Sequence, residues 1–260
     1  MIPQSSCYRQ SAKTFIRHCY LMIDSCSRLS PGILVIGGHP SSASNTVEFW
    51  SAANPEEGGC QLSNYPRYLD GGQTVNFVAG QLVACYENTC EIFNGGKWDH
   101  LVDTRSERTS HSSAVKESRI LLIGGFGWDS NSTEWISVDG SPSQPGPFNV
   151  RHSWAHCTIQ LSADLIVVTG GVETSDYVTE YQLTGDGNVT PLTPMVQGRW
   201  DHACGVYQGA GGQQVRRMLL ALDNSNAQVL LVTGGYNSYY PGYFLSSTEV
   251  SFLSGKNLYW

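Results

Sequence analysis

The sequence predicts an all-β fold made of about five copies of one four-stranded unit, and three observations carry that prediction. An aliphatic run that stops at a glycine pair occurs four times: Ile-Leu-Val-Ile-Gly-Gly at 33–38, Ile-Leu-Leu-Ile-Gly-Gly at 120–125, Leu-Ile-Val-Val-Thr-Gly-Gly at 165–171 and Val-Leu-Leu-Val-Thr-Gly-Gly at 229–235. After a polar spacer, each run is followed by a second apolar segment built around a glutamate, at Glu48-Phe49, Glu134-Trp135, Glu180-Tyr181 and Glu249-Val250. The third observation is composition. Charged residues are 14% of the chain, below the usual quarter, while glycine, aromatic and β-branched residues are plentiful. Alternation dominates, and no 3.6-residue periodicity persists.

Taken in order, residues 1–30 form no recognisable unit and stay unassigned, as a tail or a mis-predicted exon. Arg17, His18 and Asp24 interrupt their apolar residues, so a signal-peptide core is missing. Unit one begins near Pro31, has its glycine pair at Gly37, ends its second strand at Trp50 and closes in the turn at 61–66. Unit two is degenerate. Segments 74–78 and 81–84 form a hairpin, Cys85-Tyr86 stands where the glycine pair belongs, Cys90-Glu91-Ile92-Phe93 supplies the next strand, and Lys97-Trp98 opens the last. Unit three runs from about Arg105 through His111. Unit four opens at Trp154-Ala155-His156 and closes near 191–194, and unit five opens at Trp200-Asp201-His202. From first glycine to first glycine, with Cys85 as the degenerate one, the intervals are 48, 39, 46 and 64 residues, the last lengthened by an insertion at 208–226. Several short strands per period of this size predict a β-propeller, one blade per unit, over residues 31–260.

The arrangement His, aliphatic run, Gly-Gly, spacer, Glu-aromatic, Trp resembles the kelch repeat. The resemblance spans about 31–260, with the glycine pairs in register. No recurring Gly-His with Trp-Asp pairing supports the WD40 alternative, because Trp200-Asp201 opens a unit rather than closing one. The resemblance implies six or seven blades. The expectation is therefore a sixth blade missing from a fragmentary chain, or a distorted ring to which residues 1–30 contribute strands.

Within each unit, the glycines are expected to serve packing geometry, since no helix follows them to make a phosphate site. The aromatic after each glutamate is expected to pack between blades, and the glutamate to bond backbone or basic groups of a neighbour. His111, His156 and His202 occupy matching positions, which raises the question of a metal site. One histidine per radiating blade favours a structural role, and no metal or cofactor is expected.

Cys85 and Cys90 flank a four-residue turn and are expected to form a disulfide. Cys157 follows its histidine by one residue and Cys204 by two, so alternation points them to opposite faces and predicts buried free thiols. Cys60 is a candidate partner for Cys7, Cys19 or Cys26, among which the sequence does not choose. Sequons at Asn131 and Asn188 fall in predicted turns and, with the cysteines, favour a secreted or extracellular protein over a cytoplasmic one. Net charge of −7 argues against nucleic acid, and no run approaches the apolar length of a membrane span.

No catalytic constellation emerges. The reading is a non-catalytic interaction scaffold whose loops bind an unidentified protein, with a glycan as the other ligand class. Among those loops the tyrosine-rich stretch is the candidate contact site, comprising Tyr236, Tyr239, Tyr240, Tyr243 and Phe244. Two alternatives follow from the resemblance. One is an enzyme resembling copper-radical sugar oxidases or sugar isomerases, although the Tyr-His dipeptide of the oxidases is absent. The other is a fragment of a kelch adaptor for a ubiquitin ligase, for whose partner domain 30 preceding residues are too few.

Overall fold

The computed structural model describes residues 16–17, 32–37, 45–51, 60–69, 72–152, 154–185, 187–207, 228–236, 245, 248–254 and 257–259. The described regular structure is all-β: five small antiparallel sheets, four of four strands and one of three. Sheet one runs in the order β1 (Ile16–Arg17), β2 (Gly32–Ile36), β3 (Val47–Ser51), β4 (Cys60–Leu62). Its first strand comes from the segment for which the sequence shows no unit. Sheet two contains β5 (Thr74–Val78), β6 (Gln81–Asn94) and β7 (Lys97–Arg108). Sheet three contains β8 (Ser112–Lys116), β9 (Arg119–Ile123), β10 (Thr133–Ser137) and β11 (Gln144–Pro145), and sheet four β12 (Cys157–Ser162), β13 (Leu165–Thr169), β14 (Val178–Gln182) and β15 (Val189–Pro191). Sheet five contains β16 (Ala203–Tyr207), β17 (Gln228–Thr233), β18 (Thr248–Ser254) and β19 (Asn257–Tyr259). Every sheet is a simple meander. No helix among the described residues is long and apolar enough to cross a membrane.

Sheet two departs from the expected four strands. Its ladder continues through β6, which pairs with β5 up to Cys85 and with β7 from Glu87 onward. Even so, the chain folds back within β6: the Cα atoms of Cys85 and Cys90 are 4.1 Å apart and the two sulfurs are bonded. Glu87 takes a left-handed φ of 53° there, and the β6–β7 register shifts between Glu87 and Thr89 and again between Cys90 and Glu91.

Alternation along the second strand of each sheet builds the core. In β9, Ile120 and Leu122 face sheet two, where they join Val78, Val83 and Cys85. Leu121 and Ile123 face sheet four and join Ile166, Val168 and Tyr181. Val167, on the other side of β13, packs with Leu230 and Val232 of sheet five, and Leu34 and Ile36 of sheet one pack against Val75, Leu82 and Ala84 of sheet two. Both faces of a middle sheet are therefore buried, which explains why these strands read as unbroken aliphatic runs. Each such side chain contributes about 1.5–3 kcal/mol by leaving water. The aromatics after the glutamates follow the same logic: Phe49, Trp135 and Tyr181 all sit in shared cores between consecutive sheets.

Polar links join the first strands of consecutive sheets. Ser113 Oγ donates to Asn76 Oδ1 (3.0 Å) between β8 and β5, and Ser112 Oγ lies 2.5 Å from Thr158 Oγ1 between β8 and β12. A disulfide, Cys157–Cys204, ties β12 to β16. The expectation of free thiols here is corrected. Cys157 lies opposite Thr169 and Cys204 opposite Val232, so they do occupy opposite pleats of equivalent strands. Stacked sheets meet front to back, and opposite pleats are what bring the two sulfurs together.

Candidate interaction face

The glycine pairs shape one edge of this stack. Gly124 and Gly125 have φ of 58° and 114°, and Gly170 and Gly171 of 65° and 116°. A Cβ on Gly125 would lie 2.9 Å from His111 Cβ and 3.0 Å from the Thr109 carbonyl, and one on Gly235 would lie 2.8 Å from His202 Cβ. The glycines thus make room for the segment that enters the same sheet to cross the end of its second strand. Immediately after the pair, the chain bonds to that segment. Phe126 and Thr109 exchange two backbone hydrogen bonds (2.7 and 3.1 Å), as do Tyr236 and Trp200 (2.9 and 3.0 Å), and Val172 N–H donates to the Trp154 carbonyl (3.1 Å).

One residue further on, the entry segments are joined to each other. Ser110, Ala155 and Asp201 take left-handed φ of 50°, 55° and 52° at matching positions. Ala155 N–H donates to the Ser110 carbonyl (2.9 Å) and Asp201 N–H to the Ala155 carbonyl (2.8 Å). Left-handed backbone costs a non-glycine residue roughly 1–2 kcal/mol, and three successive sheets accept that cost to keep the ladder.

This scaffold presents a row of aromatic rings, contributed by successive sheets. Phe126 meets Trp154 edge-on with centroids 5.6 Å apart, Trp154 lies 6.1 Å from Trp200, and Trp200 stacks on Tyr236 at 4.6 Å and 17°. Phe126 is 62% exposed, and Trp128 on the same loop is 100% exposed. Exposed large apolar side chains gathered in one place are unusual on a soluble surface and mark contact sites.

Beneath the row lies a buried polar layer. Nε2 of His111, His156 and His202 bonds the hydroxyls of Thr74 (3.0 Å), Ser112 (2.7 Å) and Thr169 (2.9 Å), each on the preceding sheet. Each histidine thus links its own sheet to a side chain of the preceding one. Burial, reinforced by nearby Arg108, pushes His111 down to about 3; burial and then Arg199 do the same for His202, also to about 3. Both rings are neutral at physiological pH. Among the described residues, no three or more His, Cys, Asp or Glu side chains gather as a metal site.

Further buried polar side chains complete this layer. Arg108 Nη2 pairs with Glu134 Oε2 at 3.1 Å, both side chains almost wholly buried, while its Nη1 donates to the Gly124 carbonyl (2.9 Å). Arg199 repeats the glycine contact with the Gly234 carbonyl (3.1 Å). In sheet four His152 takes this place: its Nδ1 bonds the Gly170 carbonyl (2.6 Å) and its Nε2 the Thr179 hydroxyl (3.0 Å). Glu91 of sheet two accepts from the Tyr65 hydroxyl and from Thr89 (2.8 Å). Glu134 thus bonds a basic group from the neighbouring sheet, as expected, whereas Glu91 accepts from two hydroxyls, one of them on its own strand. Glu48 instead accepts from Trp50 (3.2 Å).

Of the tyrosine-rich stretch, Tyr236 belongs to the row, whereas Tyr239, Tyr240, Tyr243 and Phe244 lie outside the described residues. Asn131 and Asn188 are exposed. Cys60 is disulfide-bonded, and Cys7, Cys19 and Cys26 lie outside the described residues. The insertion at 208–226 lies outside the described residues; the strands that flank it end at Tyr207 and begin at Gln228, at the end of the β16–β17 ladder remote from Gly234. Sequence reasoning missed Phe126 and Trp128 as exposed residues, Trp154 and Trp200 as half-buried ones, and Arg108, His152 and Arg199 as buried ones. The available signal was position: Trp154 and Trp200 each stand two residues before a matching histidine.

The fold is similar to the solved structure of YjhT, with a TM-score of 0.61 and 12% identity over 96% of this chain and 97% of that chain. At this identity the likeness concerns the fold alone. No family model matches the sequence, and no curated protein matches it.

Proposed function

We propose that the five sheets are blades of a kelch-like β-propeller and that the protein is a non-catalytic scaffold, binding a protein partner through the glycine-pair edge. Meander sheets packed face to face in chain order, with first strands adjacent, support the propeller reading. The observation that carries the function is the aromatic row from Phe126 to Tyr236, held by a backbone ladder, with Phe126 exposed, Trp128 exposed on the same loop, and Trp154, Trp200 and Tyr236 half-buried beside them. Rigid aromatic side chains on a pre-organised frame supply contact area at small entropic cost. Secretion is part of the reading: disulfides at Cys85–Cys90 and Cys157–Cys204 suit an oxidising compartment. Mobility of the protein from a secretory host should then increase on glycosidase treatment, and lose that response when Asn131 and Asn188 are both replaced by Gln.

Affinity capture followed by cross-linking tests the scaffold. A specific partner should be held by the wild type, lost by Phe126→Ala/Trp128→Ala, and retained by a variant on the opposite edge such as Glu117→Gln. Stoichiometric copper in the purified protein, or a partner indifferent to both edges, would replace this reading with another.

A further inference from the structure

The aromatic row has a charge pattern that bears on what it contacts, and this inference rests on the scaffold reading above. The described connections at that edge carry exposed acidic residues on the aromatic loops or with backbone set against them. Asp129 follows Trp128, and its carboxylate accepts from Ser106 (3.2 Å). The Glu107 carbonyl is 2.1 Å from where a Gly127 Cβ would stand, which sets Glu107 against the loop carrying Phe126 and Trp128. Glu173 follows Val172, the residue bonded to the Trp154 carbonyl. Glu107, Asp129 and Glu173 are all exposed.

Arginines on the same connections are mostly committed. Arg108 and Arg199 are buried, at 2% and 0% exposure, and bond the glycine-pair carbonyls. Arg105 and Arg151 are the exposed basic residues there. The balance is acidic, in keeping with a chain of net charge −7.

We infer that the aromatic row binds a cationic segment of a protein partner, rich in Arg or Lys. Guanidinium and ammonium groups gain from lying over Trp and Phe faces, and more so when carboxylates stand beside the ring. An acidic segment would meet like charge. A neutral sugar would use the ring faces and leave the carboxylates without a counter-charge.

The probe is a fluorescein-labelled peptide of alternating Arg and Ser, read by anisotropy, beside Gly-Ser and Asp-Ser peptides and a neutral chito-oligosaccharide. The Arg-Ser peptide should bind, about tenfold more weakly to Trp128→Ala, which alters a side chain that is fully exposed. Glu107→Gln/Asp129→Asn/Glu173→Gln should weaken it to a similar degree and flatten its salt dependence, while Glu117→Gln on the opposite edge should bind as the wild type does. Equal binding by all variants would reveal general attraction to an acidic protein and overturn the inference, as would failure of the Arg-Ser peptide to bind. Row-dependent binding of the Gly-Ser or Asp-Ser peptide in its place would overturn the inference while leaving the scaffold standing. Row-dependent binding of the oligosaccharide with no peptide bound would overturn both.

Discussion

Cys157 and Cys204 stand on opposite pleats of equivalent strands, and their disulfide spans two sheets with Cα atoms 6.0 Å apart. The bond closes a 47-residue separation that contains all four strands of sheet four. On the chain-entropy account, a loop of this size contributes about 4 kcal/mol. Cys157→Ser/Cys204→Ser should therefore unfold at distinctly lower urea concentration than the wild type. Cys85–Cys90 closes a separation of only 5 residues and should matter less. A urea midpoint unmoved by removing the longer bridge would show that packing between sheets four and five suffices.

That disulfide also shows where the sequence is legible and where it is not. Alternation along β12 and β16 is local, and the sequence displays it. Its consequence depends on how two separate sheets face each other, which spacing along one chain does not encode. The aliphatic runs, the glycine pairs and the Glu-aromatic segments are legible for a related reason: each is fixed by burial on both faces or by a backbone turn, and so recurs with the repeat. Arg108 and His152 are not, because the same place beneath a glycine carbonyl is filled by different residue types in successive sheets. The aromatic row is assembled from two distant segments per sheet, Trp200 and Tyr236 being 36 residues apart. No window of sequence displays that pairing.

Glycine substitutions should separate space from conformation. Gly95 has φ of 56° and open space where a methyl group would stand, whereas Gly170 would place a Cβ 2.2 Å from the Arg199 carbonyl and 2.5 Å from His202 Cε1. Gly95→Ala should cost about 1 kcal/mol, the left-handed penalty alone. Gly170→Ala should cost several times that, or prevent folding, because two neighbours must move. Gly171→Ala meets its nearest atom at 3.2 Å and should fall between them. Equal urea midpoints for the three variants would remove the crowding argument.

Acid should destabilise the protein through its buried histidines. Burial lowers His111 and His202 to about 3 and His152 to about 4, and drives His156 well down as well. The unfolded chain, with histidines near 6.5, takes up protons first as the pH falls. Stability from these groups is thus complete above about pH 6.5 and declines toward about pH 4 and below, each histidine adding up to about 1.4 kcal/mol per pH unit. Urea unfolding at stepped pH should show this slope. His202→Gln should reduce it by the share of one proton, whatever the variant does to stability at neutral pH. An unchanged slope would mean that His202 is not held neutral in the fold.

Arg108 and Glu134 provide the last test, because the pair links two sheets and also supports the glycine turn beneath Phe126. Glu134→Gln leaves the Arg108 guanidinium buried opposite a neutral group and should cost about 3–5 kcal/mol, as should Arg108→Met. Arg108→Met/Glu134→Leu removes both charges, so it should cost clearly less than the two single changes combined. The double variant still lacks the Arg108 bonds to the carbonyls of Gly124 (2.9 Å) and Ser132 (3.2 Å), so it should not return to wild-type stability. Urea denaturation of the four proteins gives the coupling energy directly. Additive costs would place the two charges in separate solvated environments, contrary to their side-chain exposures of 3% and 1%.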